Sequence, residues 1–225
     1  MKRVVLAVVS VFAVTIAALF IYININTAPL ADASHIAAEI GGLEPKVVRV
    51  DGVKLQAQPD PYTCGITTIS VMASFFGKQD VTPQALIAKH SLGGGMTTAQ
   101  FGELLAQELP GYTVGYRGKG NDSVMIQELH AQLKQGIPVP VFFGAPNPHN
   151  QPYYDFHASI VTGLDLAAGQ VEIANVYGYQ EKLSLVDFLN RMAYRDTKNY
   201  PLVQRGVLKF GLMEKNVLYL VHRAP

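Results

Sequence analysis

The chain has a single cysteine, Cys64, and no tryptophan. One thiol cannot close an intrachain disulfide, and the Cys-x-x-Cys pairs of zinc ribbons and thioredoxin-type sites are excluded with it. Charge is sparse: charged residues are 16% of the 225, with a net charge of +1. Lys and Arg are scattered along the chain, so the basic face that a nucleic-acid partner needs is missing. There is no internal repeat and no low-complexity tract. Gly93-Gly94-Gly95 is followed by Met-Thr-Thr, not by the Gly-Lys-Ser/Thr of a phosphate loop. It reads either as a flexible loop beside a cleft or as a plain turn. His149, Asp155 and His157 lack His-Glu-x-x-His spacing, so no metal is expected there.

Apolar sequence is plentiful at the start. Lys2 and Arg3 precede Val4 to Ile23, about 20 residues without a charge. That length predicts a transmembrane helix within a signal anchor over residues 1–26, longer than the apolar core of a cleaved signal. The basic end predicts a cytoplasmic N-terminus. The remainder would then lie on the periplasmic or extracytoplasmic side of the inner membrane, in a single-pass arrangement. Ala31-Asp32-Ala33 offers a cleavage site as the alternative. Residues 27–46 read as a linker, with a short helix over Ser34–Ile40 capped by Ser34. Residues 47–225 read as one domain.

Within that domain, Val47 to Leu55 breaks at Asp51-Gly52 and predicts a β-hairpin. Cys64 follows a Pro-rich loop and opens an apolar run that Gly77 closes, so it is expected at a helix N-terminus. Thr82-Pro83 reads as N-cap and N1 of a second helix to about His90. Thr97 with Gln100 makes a capping box for a third, ending at Glu108 or Leu109. Tyr112–Tyr116 reads as a strand and Ser123–Gln135 as a fourth helix. Pro138–Phe143 reads as an edge strand or a strand start. Phe156–Leu164, Gln170–Val176 and Val217–His222 read as strands, and Ser184 caps a helix to about Ala193. Helices come mainly first and strands mainly last, joined by short turns. That order predicts an α+β fold with an antiparallel sheet.

These elements hold a candidate set for thiol chemistry. At a helix N-terminus the positive dipole end is expected to ease deprotonation of Cys64. Gln58, six residues upstream, carries an amide that can donate to a developing oxyanion. His157 opens an otherwise apolar strand and is the best-placed base, with His149 as its competitor. Asn175, 18 residues on and at the end of the next strand, can accept from the imidazole and fix its tautomer. Asp155 either tunes His157 or caps the loop before it. The bland reading of the same residues is an inert thiol, a structural histidine and a turn asparagine.

Taken in order, Gln58, Cys64-Gly65, Phe75-Phe76-Gly77, Gly136-Ile137-Pro138-Val139, the run Phe156 to Gly163, and Asn175 resemble the papain clan. Within it the chain is most similar to stand-alone relatives of the bacteriocin-processing (double-glycine leader) peptidases, over roughly residues 50–195. The resemblance implies a papain-like fold, N-terminal helices packed on a C-terminal antiparallel sheet. It also implies a peptide or protein substrate and a Cys64–His157–Asn175 triad with Gln58 in the oxyanion hole, with no metal or organic cofactor needed. Ile66 stands where that family usually has a small residue or Pro, and Asn175-Val176 where it more often has Asp-Pro. Phytochelatin synthases share the clan and the Gln-to-Cys spacing, and Tyr62 to Gly65 and Phe188 to Met192 are similar to theirs. That resemblance implies γ-glutamylcysteine transfer or glutathione hydrolysis, although the orienting residue there is Asp. A peptidase-like binding module that does not cut is the non-enzymatic alternative. A transporter or secretion partner is not identified by the sequence.

Overall fold

The computed structural model describes residues 2–25, 28–92, 95–118, 120–148 and 152–224, without the side chains of residues 2–10. Among the described residues eight α-helices surround one seven-stranded antiparallel sheet. The α-helices are α1 (Lys2–Asn24), α2 (Ala33–Ile40), α3 (Cys64–Phe75), α4 (Pro83–His90), α5 (Thr98–Glu108), α6 (Asp122–Lys134), α7 (Leu185–Met192) and α8 (Leu202–Lys209). The strands are β1 (Val47–Arg49), β2 (Tyr112–Arg117), β3 (Val139–Pro146), β4 (Tyr154–Asp165), β5 (Gln170–Asn175), β6 (Tyr179–Ser184) and β7 (Val217–Arg223). The order across the sheet is β2-β7-β3-β4-β5-β6, and β1 pairs with the far end of β4. This is the α+β arrangement expected from the sequence.

Local signals set most helix ends. Thr82 Oγ1 accepts from the N–H of Ala85, with Pro83 at N1. Thr97 and Gln100 form the reciprocal box at the start of α5. Ser184 Oγ accepts from Asp187 N at 3.0 Å. At the end of α3, Gly77 takes φ +88 and Lys78 N returns to Ala73 O at 2.9 Å, the glycine-closed turn expected there. Thr97→Ala should cost about 1 kcal/mol, read as a lower urea midpoint with an unchanged slope. An unchanged midpoint would show that packing alone holds this helix end.

Strand alternation sends side chains to two cores. Val141 and Phe143 of β3 join a cluster with Val161, Ile173, Leu129, Phe188 and Leu189. Phe142 points to the other face and joins Ile66, Ile69, Phe101, Ala158, Ile160 and Tyr219. Helices α2, α6 and α7 cover the first face, and α3, α4 and α5 the second.

Several expectations are corrected. No hairpin forms at Asp51-Gly52; β1 pairs along Gly163–Asp165, where β3 has run out, and the chain then turns away with Gly52 at φ +83. β3 is not an edge strand. It lies between β4 and β7, and Pro140 is tolerated because the ladder to β7 begins only at Val141. A bulge between Val161 and Gly163 breaks the alternation of β4, so Leu164 joins the same core as Val161. The α2 cap is Asp32, not Ser34, and Ile36 and Ile40 of the segment read as a linker are buried in the first core. β6 and α8 were not foreseen.

The transmembrane expectation is not met within the described residues: among them, no helix is long and apolar enough to cross a membrane. The first third of the apolar run, residues 4–10, lies outside the described side chains. The last turn of α1 leans on α8. Tyr22 and Phe210 have ring centroids 6.0 Å apart, and Arg205 Nη1 donates to Asn24 Oδ1 at 2.7 Å.

Candidate active site

Cys64 is the first residue of α3, with Thr63 at the N-cap. Its neighbour Gly65 lies against Met96: a Cβ there would lie 2.8 Å from Met96 Sδ. Met96 therefore closes over the start of α3, next to the thiol. Cys64 packs into the second core together with Ala158, the residue after His157.

His157 is 1% exposed and Asn175 0% exposed. Their strands pair antiparallel, and His157 Nε2 lies 3.0 Å from Asn175 Oδ1. The rest of the Asn175 amide fixes which atom is which. Its Nδ2 donates to Glu181 Oε2 at 2.8 Å, and its Oδ1 also accepts from Tyr177 N at 3.0 Å. Oδ1 is thus the acceptor, Nε2 carries the proton, and Nδ1 keeps the lone pair. Behind the amide, Glu181 accepts from Arg191 Nη1 at 2.8 Å. Imidazole, amide, carboxylate and guanidinium form one chain, buried at its first two members and partly buried at the last two, so a charge appearing on His157 faces an oriented dipole backed by a paired carboxylate. Tyr177 stacks on the imidazole with centroids 4.0 Å apart and planes 15° from parallel. The stack shields the His157–Asn175 bond from water.

Burial pushes both reacting groups toward neutrality. The thiol of Cys64 is raised chiefly by desolvation, against the backbone N–H groups of Ala158, Gly65 and Cys64 itself. Desolvation and the helix N-terminus thus act in opposite directions on this partly exposed thiol. Desolvation likewise lowers His157 to about 4, opposed by its bond to Asn175.

Gln58 is tied to the same region, its N–H donating to Val176 O at 2.7 Å. Its Nε2 donates to Asp60 O at 2.8 Å, while its Oε1 is buried without a partner among the described residues. A cleft of about 310 Å³ is lined by Gln58, Pro59, Asp60, Pro61, Pro148 and Tyr177. Pro148, from the segment after β3, lines this cleft, and Met96, from the segment before α5, lies at the start of α3. Gly93, Gly94 and the competing base His149 lie outside the described residues. Asp155 does not bond His157. It accepts from Gln204 Nε2 at 2.7 Å and from Asn147. No cluster of three or more metal-ligating side chains occurs among the described residues. Sequence reasoning missed Tyr177, Glu181 and Arg191 as supports, because they act through a β5–β6 pairing that the sequence pattern does not display.

Helices on both faces of this sheet, with a cysteine opening α3 beside a histidine-bearing strand, define a papain-clan cysteine peptidase. Residues 50–201 match the Peptidase_C39-like family, and the chain belongs to that family. The match is to the family as a whole and does not extend to bacteriocin-leader specificity. A solved structure from Bacillus anthracis, described as a C39-like peptidase, superposes with a TM-score of 0.51 at 15% identity. The likeness covers 80% of this chain and 98% of that one, and it shows the fold alone. No curated protein matches the chain.

Proposed function

We propose that the protein hydrolyses peptide bonds with Cys64 as nucleophile, His157 as proton carrier, Asn175 as orienter of His157 and Gln58 as an oxyanion donor. The observation that carries this reading is the 3.0 Å bond from His157 Nε2 to Asn175 Oδ1, which leaves Nδ1 as the ring nitrogen able to take a proton. Cys64 Sγ attacks the carbonyl carbon as its proton passes to Nδ1. The oxyanion is met by the Cys64 backbone N–H and the Gln58 amide. The C–N bond then breaks, and the imidazolium protonates the leaving amine. Water attacks the thioester with His157 as base, the C–S bond breaks and the thiol regains its proton. Because burial favours the neutral pair, the proton transfer accompanies attack instead of preceding it.

The same proposal extends to location. Lys2 and Arg3 before an uncharged run, and apolar side chains from Val11 to Tyr22 that remain exposed, support attachment to a membrane through α1. The catalytic domain would then face the periplasmic or extracytoplasmic side.

Iodoacetamide labelling of Cys64, the only thiol, tests the pair. At pH 6 the wild type should alkylate about tenfold faster than His157→Gln, since only the wild type has a base beside the thiol. Equal rates, each rising only near the ordinary thiol pKa of about 8.5, would leave an unassisted thiol and favour a peptide-binding module.

A further inference from the structure

The described residues leave one part of the globular domain conspicuously apolar and exposed. Val203 is 80% exposed, Leu212 73% and Phe210 55%. Along α8 and its C-cap residue, Val203, Val207 and Phe210 are spaced four and three apart, which puts them on one face. Leu208 turns the other way and is buried against Tyr194 and Tyr200. Helix α8 is therefore amphipathic twice over: one side seats it on the domain, and a second apolar stripe looks outward.

That stripe meets α1. Besides the Tyr22–Phe210 contact, Ile23 Cδ1 reaches to 3.8 Å from where a Cβ on Gly206 would stand. Lys209 Nζ donates to Ile25 O at the end of α1. From there α1 exposes Val11, Phe12, Val14, Ile16, Phe20 and Ile21, so both helices carry exposed apolar side chains leading away from their contact. Basic residues flank the junction: Lys198, Arg205, Lys209 and Lys215 lie within or beside the same segment. An apolar stripe edged by Lys and Arg is the pattern of an element lying in the headgroup region of an anionic bilayer.

We propose that Val203, Val207, Phe210 and Leu212 dock the catalytic domain onto a lipid surface beside α1, resting on the membrane attachment proposed above. The consequence is an orientation. Gln204 of α8 bonds Asp155, two residues before His157, and Arg205 Nε donates to Tyr200 O at 2.7 Å. The docked helix is thus tied to the strand that carries the base. The cleft is held close to the bilayer, and the peptides it meets are those within reach of the membrane surface.

The test uses the full chain with Cys64→Ala, carrying one new cysteine at a time: Leu212→Cys, Ile16→Cys, or Asp80→Cys on the α3–α4 turn as control. Each is labelled with bimane and mixed with phosphatidylcholine–phosphatidylglycerol vesicles containing a headgroup nitroxide lipid. Leu212→Cys should be quenched about twofold or more beyond Asp80→Cys, the depth expected of an interfacial helix. Quenching at position 16 with none beyond control at 212 would overturn the docking while leaving α1 in the membrane. No quenching at either would overturn both readings. Shielding at 212 that follows protein concentration, not lipid, would assign the stripe to a second copy of the chain and overturn the proposal.

Discussion

Cys64→Ala should lower kcat/KM on any peptide substrate by about 10⁴-fold or more, and leave the folded domain as stable as the wild type. The size follows from the chemistry: no other side chain at the start of α3 can form the acyl intermediate, and the chain has no second thiol to take its place. The stability follows from the helix. Cys64 is the first residue of α3, the N-cap side chain makes no capping bond, and Ala is the better helix former. His157→Gln should fall nearly as far, and adding it to Cys64→Ala should cost little more, because members of one proton-transfer unit are not additive. Asn175→Ala should fall less in rate but more in stability. It removes the acceptor of two hydrogen bonds and leaves Glu181 facing a buried imidazole. A fluorogenic peptide library, with thermal unfolding run on each variant, decides the matter. Cys64→Ala that keeps the wild-type rate would end the thiol mechanism.

The elements legible in the sequence were those fixed by local chemistry. Thr82-Pro83, the Thr97/Gln100 box, Ser184 with Asp187 and the glycine at 77 each satisfy a backbone group within a few residues, so the sequence displays them directly. What escaped depended on distant partners. β6 is a polar edge strand, Tyr-Gln-Glu-Lys-Leu-Ser, with only Leu183 buried; its strand character comes from pairing with β5. α8 starts after Pro201 with no side-chain cap, and its outward face is apolar, so the usual polar-outside pattern is missing. The bulge in β4 depends on where β1 and β5 meet it, and nothing in residues 154–165 announces it.

The site divides along the same line. Cys64 and Asn175 could be placed because a helix start and a strand end are local events. The environment that governs their chemistry is not local. The dipole argument at Cys64 is local, but the desolvation that opposes it comes from Ala158 and the second core, elsewhere in the chain. Gln58 was found by spacing. Its amide donates to Asp60 O, two residues away, so its role in holding an oxyanion requires one of its two N–H groups to face the carbonyl of a bound peptide.

The buried imidazole makes a second large prediction, in stability. His157 is lowered from 6.5 to about 4 by desolvation, while in the unfolded chain it titrates near 6.5. Between those values the unfolded state binds a proton that the folded state refuses, so stability rises with pH through the window and is lost as pH falls. A fall from 6.5 to about 4 corresponds to about 3 kcal/mol, contributed in full at pH 7 and gone below about pH 4. Other groups titrate over the same range, so the quantity to measure is a difference. Urea unfolding of the wild type and of His157→Gln at pH 7 and pH 4 should give a wild-type loss larger by about 3 kcal/mol. Cys64 acts in the opposite direction at the alkaline end. Its raised thiol adds stability below the ordinary thiol value, and that stability is lost as pH climbs above it. Equal losses in the two proteins would mean that the imidazole titrates as in the unfolded chain. If the wild type loses less than His157→Gln between pH 7 and pH 4, the folded imidazole already carries its proton at neutrality. The resting pair would then be thiolate and imidazolium, with charge separation completed before the substrate arrives. If the excess appears, the pair rests neutral, and the energy of separating its charges is supplied by the oxyanion donors at the moment of attack.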